Sequence, residues 1–111
     1  MAEPYLTDLQ ALLKSQSRRL AKAGEISGKH FFSGAAAYVD GAIFMSLTPV
    51  GLALKLPQED LKELFAQGAK PLKYFPKAPV KKDYAVLPKK IVKDAGALGG
   101  WIKRSATFAR K

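Results

Sequence analysis

His30, the adjacent carboxylates Glu59 and Asp60, and the lysines between Lys70 and Lys93 are the residues of this chain whose side chains could do chemistry. His30 is the only histidine and stands between Lys29 and Phe31. An imidazole acting as general base or metal ligand needs partners to orient the ring or complete a coordination sphere, and a lone histidine advertises none. It reads as a structural or exposed residue. Glu59 and Asp60 follow Pro57 at the start of a helical stretch, where acidic side chains answer the helix dipole. With no histidine or second carboxylate cluster placed opposite, they do not form an acid/base pair. Gly34-Ala35-Ala36-Ala37 is rich in small residues, but it is neither a G-x-G-x-x-G nor a Walker sequence and it precedes a strand, so no phosphate cradle is expected. Close approach of a helix to that strand accounts for it better. The chain has no cysteine, which excludes disulfides, thiolate metal sites and cysteine nucleophiles. The sequence therefore predicts no catalytic residue, no metal and no cofactor.

The charge balance is the compositional extreme. Nineteen Lys and Arg face nine Asp and Glu, for a net charge of +10. Residues 70–93 hold Lys70, Lys73, Lys77, Lys81, Lys82, Lys89, Lys90 and Lys93 against the single Asp83. Such a field attracts nucleic acid, an acidic protein or an anionic surface. Tyr74, Phe75 and Tyr84 interleave with these lysines, and bases stack on aromatic rings while ammonium groups meet phosphates. Lys70, Lys73, Lys77, Lys81 and Lys82, with Arg18 and Arg19, are accordingly the candidate nucleic-acid contacts, and Lys103 and Arg104 are further ones. The competing reading is a half-buried strand pair with an aromatic inner face and a lysine outer face, the lysines discouraging edge-to-edge aggregation. No RRM consensus or helix-turn-helix is spelled out. Trp101, at helical spacing with Leu98 and Ile102, reads as core or interface.

The elements that must position these residues can be read from periodicity and punctuation. Leu6, Leu9, Leu13 and Leu20 fall at helical spacing from Pro4 to a stop at Gly24, with basic residues toward the C-terminal half. Phe31 to Leu56 follows as a three-stranded meander. Asp40-Gly41 between two apolar runs is the signal of a two-residue type I′ hairpin, and Pro49-Val50-Gly51 punctuates the next reversal. The strands are expected near 35–39, 42–48 and 51–56. Pro57 opens a helix near 58–67 with Leu61, Leu64 and Phe65 inward and Gly68 at its end. Strands near 70–75 and 81–87 come next, then a short turn or helix from Pro88, then a helix capped by Asp94 that carries Leu98, Trp101, Ile102 and Ser105. The order α-β-β-β-α-β-β-α predicts an α+β fold, a two-layer α/β sandwich with an antiparallel sheet covered on one face. At 111 residues the chain is expected to form one domain over 1–111. No basic, apolar leader and no long apolar span occurs, so a cytoplasmic location away from membranes is expected.

Aromatic-Phe32-Ser33-Gly34, Tyr38-Val39-Asp40-Gly41 with Phe44, Leu52-x-Leu54-Lys55, Phe65 and Gly68 before Lys73-Tyr74, Asp83-Tyr84-x-x-Leu87-Pro88, and Asp94 with Leu98-x-x-Trp101 form an ordered set. In that order they resemble the N-terminal domain of the TfoX (Sxy) competence-regulator family, over about residues 5–108. Where the family usually has Arg-Met-Phe-Gly-Gly, this chain has Lys29-His30-Phe31-Phe32-Ser33-Gly34, and where it has Gly-Leu-Tyr, this chain has Ala36-Ala37-Tyr38. The resemblance is thus to a diverged, stand-alone member lacking the C-terminal domain of full-length TfoX proteins. It implies a two-layer α/β fold and a bacterial regulatory or protein-interaction module tied to transcriptional activation of DNA-uptake genes, without enzymatic activity. A protein partner is expected. Homodimer formation through an exposed strand edge or an apolar helix face is a further option, and weakly specific nucleic-acid binding by the 70–93 segment is the alternative function.

Overall fold

The computed structural model describes residues 3–21, 23–31, 34–48, 50–72 and 81–110, without the side chains of Glu3, Pro4, Arg19, Phe31, Lys81 and Lys82. Along the chain the elements are α1 (Glu3–Ser15), α2 (Ser17–Leu20), β1 (Ile26–Phe31), β2 (Gly34–Val39), β3 (Ala42–Thr48), β4 (Gly51–Lys55), α3 (Gln58–Ala66), β5 (Lys70–Leu72), β6 (Lys81–Val86), α4 (Lys89–Val92) and α5 (Ala95–Arg110). The strands form one six-stranded sheet in the order β1-β2-β3-β4-β6-β5. Every neighbouring pair is antiparallel. The α+β class and the antiparallel sheet are as the sequence predicts.

The meander is built as its punctuation dictates. Asp40 and Gly41 both take positive φ, 49° and 85°, the pair of values a type I′ turn needs to match the twist of its flanking strands. The Asp40 carboxylate then ties the turn down. Its Oδ1 accepts the Glu25 amide at 2.8 Å, and its Oδ2 lies 3.2 Å from Arg110 Nε at the far end of α5. Gly24 is required here, because a Cβ at that position would come within 2.6 Å of Asp40 Oδ2. At the end of α3, the Ala69 amide bonds Leu64 O at 3.0 Å and the Gly68 amide bonds Phe65 O at 3.1 Å, a Schellman ending at the predicted glycine. Asp94 caps α5 as expected, its Oδ1 accepting the Ala97 amide at 3.1 Å.

Three expectations are corrected. The sheet has a strand more than the five predicted, β1, whose sequence I-S-G-K-H-F carries only two apolar residues at its ends. A strand at the sheet edge with polar residues on one face and a glycine under a helix lacks the alternation on which strand recognition depends. The first helix is also interrupted: the chain leaves α-geometry at Gln16, with φ −103° and ψ 12°, and restarts as α2. Finally, Phe65 of α3, expected to face inward with Leu61 and Leu64, is exposed, while the part of the expected 70–75 strand beyond Leu72 lies outside the described residues.

Alternation along the strands sends Ala35, Ala37 and Val39 of β2 and Leu52 and Leu54 of β4 to the helical side. There they form one core with Leu9 of α1, Leu61 and Leu64 of α3, and Leu98, Trp101 and Ile102 of α5. The glycine of Gly34-Ala35-Ala36-Ala37 answers a neighbouring strand and not a helix. A Cβ on Gly34 would collide with Leu47 O and lie 2.7 Å from Thr48 Cα. Helix α1 lies instead over the rest of the run, on the side where Ala35 and Ala37 are buried.

Two buried serines have opposite circumstances. The β2–β3 register passes from Ala37↔Met45 to Tyr38↔Ile43, leaving Phe44 as the extra residue of a β-bulge. The Ser105 hydroxyl of α5 reaches the Phe44 carbonyl at 2.7 Å and the Lys55 carbonyl, also at 2.7 Å. Ser46 lies on the opposite sheet face between Ala36 and Ala53, fully buried, and its hydroxyl has no hydrogen-bond partner among the described residues. A buried acceptor stripped of its donor costs about 1–3 kcal/mol, whereas an unpaired hydroxyl replaced by a methyl loses no bond. Urea denaturation should therefore show Ser105→Ala destabilised by about 1–3 kcal/mol and Ser46→Ala unchanged or more stable.

Candidate functional site

The basic segment is distributed over one edge of the sheet. Lys70 is exposed on β5, the outermost strand, and Lys89 is exposed at the start of α4. The two lysines flank a recess of about 370 Å³ floored by Val50, Gly51, Val86, Leu87 and Pro88. Lys90 and Lys93 are exposed on or just after the same short helix. Lys81 and Lys82 belong to β6, with side chains outside the described set. Lys73, Lys77, Tyr74 and Phe75 lie outside the described residues. Tyr84 is half-buried on β6, opposite Lys55 of β4.

Arg18 is not gathered into this group. It is exposed on α2, and α2 borders β1, the strand at the other end of the sheet. Five interstrand spacings separate the two edges, roughly 24 Å at about 4.8 Å each. Arg19 shares that short helix, with its side chain outside the described set. Arg104 is already engaged. Its guanidinium lies 3.6 Å from Asp60 and 3.9 Å from Glu63 of α3, and 4.7 Å from the centroid of the Trp101 ring. The Glu59-Asp60 pair thus serves the start of α3 and, through Asp60, the contact with α5. Lys103 is exposed beside Asp60 and Phe108 at a pocket of about 360 Å³. Trp101 is buried in the core cluster, as its spacing implies.

His30 is exposed within β1, an edge strand, cross-strand from Ala35. Among the described residues no group of three His, Cys, Asp or Glu side chains could hold a metal ion. No helix among them is long and apolar enough to cross a membrane.

One further cleft escaped sequence reasoning. It measures about 400 Å³ and runs between α1, α2 and β1, lined by Gln10, Leu13, Lys14, Ser17, Leu20, Ile26, Ser27 and Gly28. The only sequence signal for it is Gly28. Its missing side chain leaves a space bounded by Leu6, Gln10 and Leu13, with nearest atoms 3.7–3.8 Å from where a Cβ would lie.

The order of elements, the hairpin and the Asp94-capped final helix define a small α+β fold. A family model for the TfoX N-terminal domain matches residues 18–109, and the chain belongs to that family. It is not known as a family of enzymes. A comparison with curated proteins found no match.

Arg104 offers a check on how its charge is used. Removing the side chain uncovers the Trp101 ring and releases Asp60, both at a partly exposed site where such contacts are each worth about 1 kcal/mol or less. Arg104→Ala should lower stability by about 1 kcal/mol in urea titrations, with a smaller loss at high salt, and should leave retention on a phosphate-bearing cation-exchange column nearly unchanged.

Proposed function

We propose that this protein is a non-enzymatic regulatory and protein-interaction module, acting as one cytoplasmic domain in bacterial transcriptional control of the kind for which TfoX (Sxy) proteins stand. The observation that carries this reading is the family match across residues 18–109. Two features support it. The sheet ends in a six-residue strand, β1, with no described strand on its outer side, and a cleft beside that strand is lined in part by Leu13, Leu20 and Ile26. Net charge of +10 favours fast association with acidic surfaces and adds little specificity by itself.

A second reading, weakly specific nucleic-acid binding through Lys70, Lys73, Lys77, Lys81 and Lys82, is favoured by the convergence of Lys70 and Lys89 on one recess. The two readings separate by salt. Counterion release makes the affinity of any lysine-phosphate contact fall as salt rises, with a slope of about −0.9 per phosphate for duplex DNA. For the interaction module, fluorescence anisotropy with short DNA should give dissociation constants no tighter than about 10⁻⁶ M at physiological salt. Nanomolar binding at that salt, lost in a folded Lys81→Ala/Lys82→Ala protein, would establish the second reading instead.

A further inference from the structure

The outer edge of β1 is an unfilled place in the sheet. The Asp40 amide bonds the Glu25 carbonyl at 2.8 Å, and the register continues as Ile26↔Val39, Ser27↔Tyr38 and Gly28↔Ala37. In an antiparallel pair the hydrogen-bonded positions alternate. Glu25 being bonded, the next bonded positions are Ser27 and Lys29, and the backbone groups of Ile26, Gly28 and His30 point away from β2. No described strand receives them, since β1 ends the sheet. Beside them lies the 400 Å³ cleft, roofed by Leu13, Lys14 and Leu20 and open at Gly28. An exposed edge strand beside a cleft lined by both apolar and polar side chains is a geometry that captures extended peptides by strand addition.

Charge selects the occupant. Lys14 lines the cleft, Arg18 is exposed on α2, which borders it, and Lys29 is exposed on the other face of β1 with its Nζ 5.8 Å from the Tyr38 ring centroid. Of the carboxylates at the Gly24 end, Asp40 is already held by the Glu25 amide and Arg110. A second copy would bring one chain of net charge +10 against another, with Lys29 on both edges, and lysines on an edge are a known deterrent to self-pairing. Nucleic acid offers no strand of alternating N–H and C=O groups. We propose that the α1–β1 cleft binds an extended, acidic peptide segment of a partner protein, which adds as a seventh strand beside β1 and places apolar side chains toward Leu13, Leu20 and Ile26. This deepens the interaction-module reading and rests on it.

The test uses the whole chain, ¹⁵N-labelled, and an N-acetylated heptapeptide of alternating glutamate and valine. Amide shifts and slowed hydrogen exchange should concentrate at Ile26, Gly28 and His30 and on the facing sides of α1 and α2. Replacing every glutamate by lysine in the peptide should weaken binding by about tenfold or more, and Lys29→Ala should weaken it in the same direction, because Lys29 lies on the face of β1 that the glutamates share when the valines enter the cleft. Gly28→Leu should block the cleft. The control that leaves the protein untouched is N-methylation of the peptide: methylating the alternate amides of one parity should abolish binding, and methylating the other parity should spare it. The proposal is overturned if no shifts arise at about 1 mM peptide, a concentration that detects even −4 kcal/mol, or if both methylated peptides bind alike. Shifts confined to the Lys70/Lys89 recess would remove the cleft while leaving the module reading intact. Binding of oligo-thymidine at the cleft in preference to the peptide would sink both.

Discussion

The position of the final helix depends on one buried hydroxyl meeting one irregularity in the sheet. At Phe44 the β2–β3 ladder takes an extra residue. The Leu56 and Leu87 amides bond across the β4–β6 pair at 2.9 Å, so by alternation the Lys55 carbonyl between them turns toward β3. Two carbonyls therefore face the same point under α5, and Ser105 shares its proton between them. Apolar burial supplies most of the stability, about 1.5–3 kcal/mol for each fully buried large side chain, but it is non-directional and would tolerate a helix sliding along its axis. The hydroxyl does not. With Ser105 fixed, Arg104 falls over Asp60 and Glu63, and Arg110 reaches the Asp40 turn. One hairpin is thereby held at both its bulge and its tip by the same helix.

The two edges of the sheet are managed differently. β5, described over Lys70–Leu72, contains Pro71, which cannot donate to a further ladder. β1 runs for six residues with no proline. It is guarded by the charge of Lys29 and by the overhang of α1. Charge is a selective guard: it repels another copy of a basic chain and draws in an acidic one. An edge interrupted by proline and an edge guarded by charge are not equivalent surfaces.

Much of the fold was legible because its punctuation is chemical. Asp40-Gly41 can be read as a turn since few residues accept positive φ at both positions, and Gly68 and Asp94 mark helix ends by filling hydrogen-bonding needs that every helix has. β1 was not legible. Its burial is supplied by α1 lying over Gly28, and a residue without a side chain leaves no hydrophobic trace of the face it covers. The break at Gln16 was hidden for a related reason, since Leu13 and Leu20 are seven apart and keep their helical phase on paper across a kink. The family, by contrast, could be read from a set of residues in order, even through departures at Lys29 to Gly34. The cleft could not be found from any motif, because it is defined by which strand ends the sheet, a property of topology alone.

Basic charge on this molecule is easily mistaken for a binding site in itself. Lys70 with Lys89 and Arg18 with Lys14 occupy opposite edges, and Arg104 and Arg110 are engaged by the chain's own carboxylates. A field spread in this way raises the encounter rate with any anionic partner from several directions, and exposed charges beyond about 8–10 Å of one another act nearly independently at physiological salt. Discrimination then has to come from contacts that are directional. Outward-facing backbone groups at Ile26, Gly28 and His30 are directional and fixed in register by β2, and they accept only another extended chain. Long-range attraction without selectivity and a short-range edge with strict geometry are complementary, and in this fold they meet at Lys14, where α1 overhangs the last strand of the sheet.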